Sequence, residues 1–61
     1  MEKKINICDG LIILKDTYDT HFGNSIDVYN EQGILLGIIE GSLDNYNDDQ
    51  LYDLIKEDII L

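Results

Sequence analysis

Residues 26–39 constrain this chain more than any other stretch. The segment runs Ile26-Asp27-Val28-Tyr29, turns at Asn30-Glu31-Gln32-Gly33 and returns as Ile34-Leu35-Leu36-Gly37-Ile38-Ile39. Asn at the first turn position and Gly at the fourth predict a type I turn closed by a glycine bulge. Gly33 suits that bulge because it takes positive φ without a Cβ clash. The returning segment is apolar on both faces, which predicts a strand in the middle of a sheet with cover on both sides. In this register Tyr29 opposes Ile34, Asp27 opposes Leu36 and Ser25 opposes Ile38. Ile26, Val28, Leu35 and Ile39 share the other face, with Gly37 opposite Ile26. Gly37 marks a bend or a close backbone approach.

An earlier hairpin is expected from Lys3 to Lys15. Lys3–Cys8 alternates polar and apolar, Asp9-Gly10 is a two-residue turn signal, and Leu11–Lys15 returns. This pairs Cys8 with Leu11, Ile7 with Ile12, Asn6 with Ile13 and Ile5 with Leu14. One face then carries Ile5, Ile7, Ile12 and Leu14. The other carries Asn6, Cys8, Leu11 and Ile13, with Cys8 read as a small packed residue. Asp16–Asn24 holds clustered turn formers and no period, so it reads as a loop. Gly41–Tyr46 reads as a linker. Asn47 followed by Gln50 resembles a capping box, and Asp48 and Asp49 suit the positive end of a helix dipole. Leu51, Leu54, Ile55 and Tyr52 form an apolar stripe at helical spacing, which predicts a helix over Asp48–Asp58. The apolar end Ile59-Ile60-Leu61 is expected to dock on something.

The expected fold is α+β: a four-stranded antiparallel sheet of two hairpins followed by one C-terminal helix, in a single domain over 1–61. One short helix covers one sheet face, so further apolar surface needs another cover. Sixty-one residues are near the lower limit for independent folding, and such chains usually need a staple. Cys8 is the sole cysteine, which excludes an intrachain disulfide and a cysteine zinc cluster. Self-association, as a homodimer or higher homo-oligomer, is the favoured staple.

The chain has 13 acids, 4 lysines and no arginine, for a formal net charge of -9. Direct nucleic-acid binding is disfavoured, since that affinity comes from clustered Lys and Arg. A basic protein surface is the natural counterpart. No segment has the length of a membrane span, and the residues after Met1-Glu2-Lys3-Lys4 do not read as a signal peptide. A cytoplasmic setting in a bacterial cell is expected. The absence of Ala, Pro, Arg and Trp beside many Ile, Asn, Lys and Tyr residues is the signature of AT-rich codons, as in bacterial or phage genes.

Few residues offer chemistry. Asp16, Asp19 and His21 form a weak metal candidate whose spacing is permissive and unspecific. From Asp44, an EF-hand pattern fails: position six is Asp49 rather than Gly, and position twelve is Ile55 rather than Glu. Cys8 has only His21 as a candidate base, and no phosphate-binding glycine loop is present. No cofactor and no catalytic residue is assigned, and the chain reads as a non-enzyme. Asp49, Asp53 and Glu57 stand out because they lie at successive i, i+4 positions of the expected helix. That row steps about 5.4–6 Å per turn, of the same order as phosphate spacing along a nucleic-acid strand. With Asp44, Asp48 and Tyr46 it forms the candidate partner-binding set. Tyr18, Phe22 and Tyr46 are further interface or edge-packing aromatics.

Two functional readings follow, from different classes. The first is a small acidic inhibitor, phage or mobile-element encoded, that blocks a basic nucleic-acid-handling protein. In size and charge the chain resembles the tiny acidic proteins that phages use against host defences, DNA mimics and anti-CRISPR proteins among them. The second rests on element order alone. Four strands then a helix resembles the PC4-type family of oligomeric single-strand binders, which implies a basic groove with stacking aromatics. This chain offers Lys3, Lys4 and Lys15 for that role. A structural assembly subunit is a third possibility.

Overall fold

The computed structural model describes residues 2–59. Four strands, β1 (Glu2–Ile7), β2 (Gly10–Asp19), β3 (Gly23–Asn30) and β4 (Leu35–Glu40), form one sheet in the order β1-β2-β3-β4 with every neighbour antiparallel. A 3-10 turn (Leu43–Asn45) leads into α1 (Asp48–Asp58), which lies on one sheet face. The four strands and the C-terminal helix match the expected architecture, and α1 has the expected bounds.

The helix begins as its sequence dictates. The Asn47 side chain accepts from the Gln50 N–H at 2.8 Å, and the Gln50 side chain accepts from the Asn47 N–H at 2.9 Å. Two N-terminal donors that the helix cannot satisfy internally are thereby paired. Leu51 and Ile55, one turn apart, are fully buried against Leu14, Ile26 and Val28 in a core completed by Ile7, Ile12 and Leu43. Each fully buried aliphatic side chain contributes about 1.5–3 kcal/mol through its lost contact with water.

The turn after β3 has the expected form. Gly33 has φ 84° and donates to the Asn30 carbonyl at 3.0 Å. The Asn30 side chain accepts from the N–H groups of Gln32 and Ile34 at 2.9 and 3.0 Å.

Four expectations are corrected. The first hairpin turns at Cys8-Asp9, with φ 54° and 64°, rather than at Asp9-Gly10. Its pairs are Ile7 with Gly10, Asn6 with Leu11 and Ile5 with Ile12. The slide is two residues, which is the pleat period, so Ile5, Ile7, Ile12 and Leu14 still share one face. Cys8 becomes an exposed turn residue instead of a packed one.

Asp16–Asn24 is largely strand rather than loop. β2 continues to Asp19, β3 starts at Gly23, and Thr20-His21-Phe22 join them. Backbone pairing carries this ribbon where apolar alternation does not. The Thr17 and Ser25 hydroxyls lie 2.8 Å apart across it. Asp19 Oδ1 accepts from the His21 and Phe22 N–H groups at 2.7 and 3.2 Å, and Gly23 has φ 79°. A carboxylate holding its own turn is a local substitute for a hydrophobic period.

β4 is an edge strand, not a central one. An apolar run on both faces fits a central strand, but it also fits an edge strand whose side chains remain exposed. Leu35, Leu36 and Ile38 are so exposed.

The β3–β4 register also moves. Ile26 pairs with Ile39, Asp27 with Ile38 and Val28 with Gly37, and the ladder then shifts so that Tyr29 pairs with Leu35. Leu36 is the extra residue of a bulge. One inserted residue reverses the face of what precedes it, so Leu35 leaves the core side expected for it. Ile59 packs on the core, as expected of the apolar end, while Ile60 and Leu61 fall outside the described residues.

Candidate interaction surfaces

The candidate partner-binding residues divide into those the fold uses and those it leaves free. Asp48 pairs with Lys3, tying the helix start to β1. Tyr46 is half-buried on the core, and its phenol donates to the Glu40 carbonyl at 2.7 Å. Tyr46 is therefore part of the frame that returns the chain from β4 to α1. Asp44 is exposed in the 3-10 turn.

Asp49, Asp53 and Glu57 are exposed along α1, and none of them makes an ion pair or side-chain hydrogen bond among the described residues. The nearby cation is directed elsewhere: Lys56 Nζ sits 5.7 Å from the Tyr52 ring centre. Lys15 is engaged in the sheet, 5.4 Å from the Tyr29 ring centre and 3.9 Å from a Glu2 carboxylate oxygen. No lysine forms an ion pair with the carboxylate row among the described residues, although Lys56 lies one turn from Asp53. Helix capping is done by Asn47 and Gln50 and core packing by Leu51 and Ile55, so the row has no part in either.

The weak metal candidate is not assembled. Asp16 Oδ1 accepts from the Leu43 N–H at 2.8 Å, anchoring the 3-10 turn to β2. Asp19 holds its own turn. No group of three His, Cys, Asp or Glu side chains positioned to hold an ion occurs among the described residues.

The sheet face away from the helix carries features the sequence did not mark. Lys15 and Tyr29 lie beside Asp27, whose carboxylate accepts from the Tyr29 phenol at 3.3 Å. Partial desolvation, then the Asp27 charge, then that hydrogen bond hold the Tyr29 phenol above its ordinary range. This face carries charges of both signs, Asp27 and Glu40 beside Lys4 and Lys15. At the ribbon end, Phe22 is 88% and Tyr18 71% exposed. Both were candidates for interface or edge packing, and the structure leaves them unpacked.

Two depressions border β4. One, about 450 Å³, is lined by Phe22, Asp27, Ile38 and Glu40 among others. The other, about 420 Å³, includes Gly37, Ile38, Glu40, Leu54 and Ile59. Ile38 and Glu40 border both. Among the described residues no helix is long and apolar enough to cross a membrane. No family model, curated protein or solved structure matches the chain.

Proposed function

We propose that this chain is a small acidic interaction protein that occupies the nucleic-acid-binding surface of a basic protein. The observation that supports it is the row Asp49, Asp53 and Glu57, exposed and unpaired on a helix whose cap and core are built from other residues. Like charges at i, i+4 cost a few tenths of a kcal/mol per pair. A fold that carries that cost without using the charges presents them to a partner. Their rise of about 6 Å per step is of the same order as phosphate spacing along a strand, so a basic groove can engage carboxylates in place of phosphates. The net charge of -9 adds long-range attraction to any such groove.

The experiment uses the full chain, immobilised, against a panel of purified basic nucleic-acid-binding proteins. Its control is the variant Asp49→Asn/Asp53→Asn/Glu57→Gln. Retention that weakens steeply with salt, is competed by duplex DNA and drops at least tenfold in the variant is the expected result. Salt-insensitive retention, or equal retention of the variant, would count against the reading. A mobility shift of a single-stranded oligonucleotide by the chain itself would replace it with the single-strand-binding alternative.

A further inference from the structure

We infer that two copies of this chain join through their β4 edges, antiparallel about a two-fold axis at Ile38, to make one continuous eight-stranded sheet. The two sheet edges differ in kind. β1 presents Glu2, Lys3 and Lys4, the charged edge that blocks strand addition. Residues 34–39 along β4 are uncharged, between Glu31 and Glu40. Two chains of charge -9 repel at most surfaces, and this edge is where they can meet without opposing carboxylates. With Ile38 on the axis, Glu40 of one copy lies opposite Leu36 of the other, so the two Glu40 side chains are held apart.

The hydrogen-bond phase agrees. Gly41 N–H donates to the Asn24 carbonyl at 3.0 Å, next to the Ser25–Glu40 pair. Alternation along an antiparallel ladder then directs the N–H and C=O of Ile38 and the N–H of Glu40 away from β3, while the outward Glu40 carbonyl is already held by the Tyr46 phenol. Ile38 on a two-fold axis exchanges both bonds with its own copy. The bulge at Leu36 limits the regular edge to a few residues. The exposed parts of Ile34, Leu35, Leu36 and Ile38 amount to on the order of 400 Å² of apolar surface per copy, within the range of the largest patches on monomers, which are often functional. Twice that is small for a permanent interface, so the dimer is a weak one.

Sedimentation velocity across a low-micromolar to millimolar series tests this, with the wild-type chain, Ile38→Lys and Phe22→Lys. The wild type is expected to double in mass within the series, and more readily as salt rises, opposite to the salt dependence of binding a basic partner. Phe22→Lys should behave as wild type, and Ile38→Lys should stay at the mass of one chain. Amide exchange in the wild type supplies a readout independent of variant folding: the Ile38 N–H should become protected as the mass doubles. A wild type that keeps the one-chain mass throughout would overturn the inference. So would doubling without Ile38 protection, or loss of doubling in Phe22→Lys alone.

Discussion

Gly37 and Ile59 are fitted to each other: a Cβ placed on Gly37 would lie 3.0 Å from Ile59 Cγ1 and 3.1 Å from Cδ1. The missing side chain on β4 is the seat of the residue that ends α1. Gly37→Ala is expected to destabilise by about 1 kcal/mol, because Ile59 must give by a few tenths of an ångström to admit the methyl group. Combining it with Ile59→Ala should recover part of that loss, giving a coupling of roughly 0.5 kcal/mol or more in a double-mutant cycle. Denaturant titration measures both, and strict additivity would contradict the fit.

The turn at Cys8-Asp9 makes a prediction that separates it from a turn at Asp9-Gly10. A Cβ on Gly10 meets only the Ile7 carbonyl at an ordinary 3.6 Å, and positive φ belongs to Cys8 and Asp9. Gly10→Ala should therefore be neutral or stabilising, within about 0.5 kcal/mol, while Asp9→Gly should stabilise by up to about 1 kcal/mol. The reverse pattern in denaturation midpoints would put the turn one residue later.

Asp16 is expected to matter as an acceptor and not as a metal ligand. Asp16→Ala leaves the part-buried Leu43 N–H without its partner and should cost about 1–3 kcal/mol. Asp16→Asn keeps an acceptor oxygen and should cost less. Thermal midpoints of the wild type with and without divalent ions and chelator should coincide.

Tyr29 sets an alkaline limit. Its folded phenol holds its proton above the ordinary value of 10.0, so above that pH the unfolded chain ionises first and binds fewer protons than the folded one. The stabilisation is whole below pH 10.0 and is lost as pH rises through the folded pKa. Tyr29→Phe should lack this part of the alkaline decline, seen as a shallower fall of stability with pH. Equal slopes for the two proteins would contradict it.

The features legible in the sequence were those whose cause is local or periodic. Asn47 with Gln50, and Asn30 with Gly33, carry their own partners within a few residues. The core side of β1 and β2 survived a wrong turn position because the error equalled the pleat period. What was not legible depended on distant pairing. Thr17 and Ser25 show no apolar rhythm, since the backbone ladder of β2 and β3 holds them in strand conformation. The bulge at Leu36 has no local marker, and it moved Leu35 to the open side. The apolar run of β4 fits a strand with one neighbour as well as a strand with two, so its place at the edge was not legible. In the candidate site, the i, i+4 row was legible from helical spacing. The commitment of Tyr46 to Glu40 was not, because it depends on where β4 ends.

The claim that the carboxylate row is surplus to the fold is tested most directly by the stability of Asp49→Asn/Asp53→Asn/Glu57→Gln, read by denaturant titration. Neutralisation removes two like-charge pairs and an acid near the helix C-terminus, and gives up the favourable placement of Asp49 near the N-terminus. The expected result is a net change within about 0.5 kcal/mol with an unchanged m-value. A loss above roughly 1.5 kcal/mol would show that the row holds the fold together and would contradict its assignment to a partner.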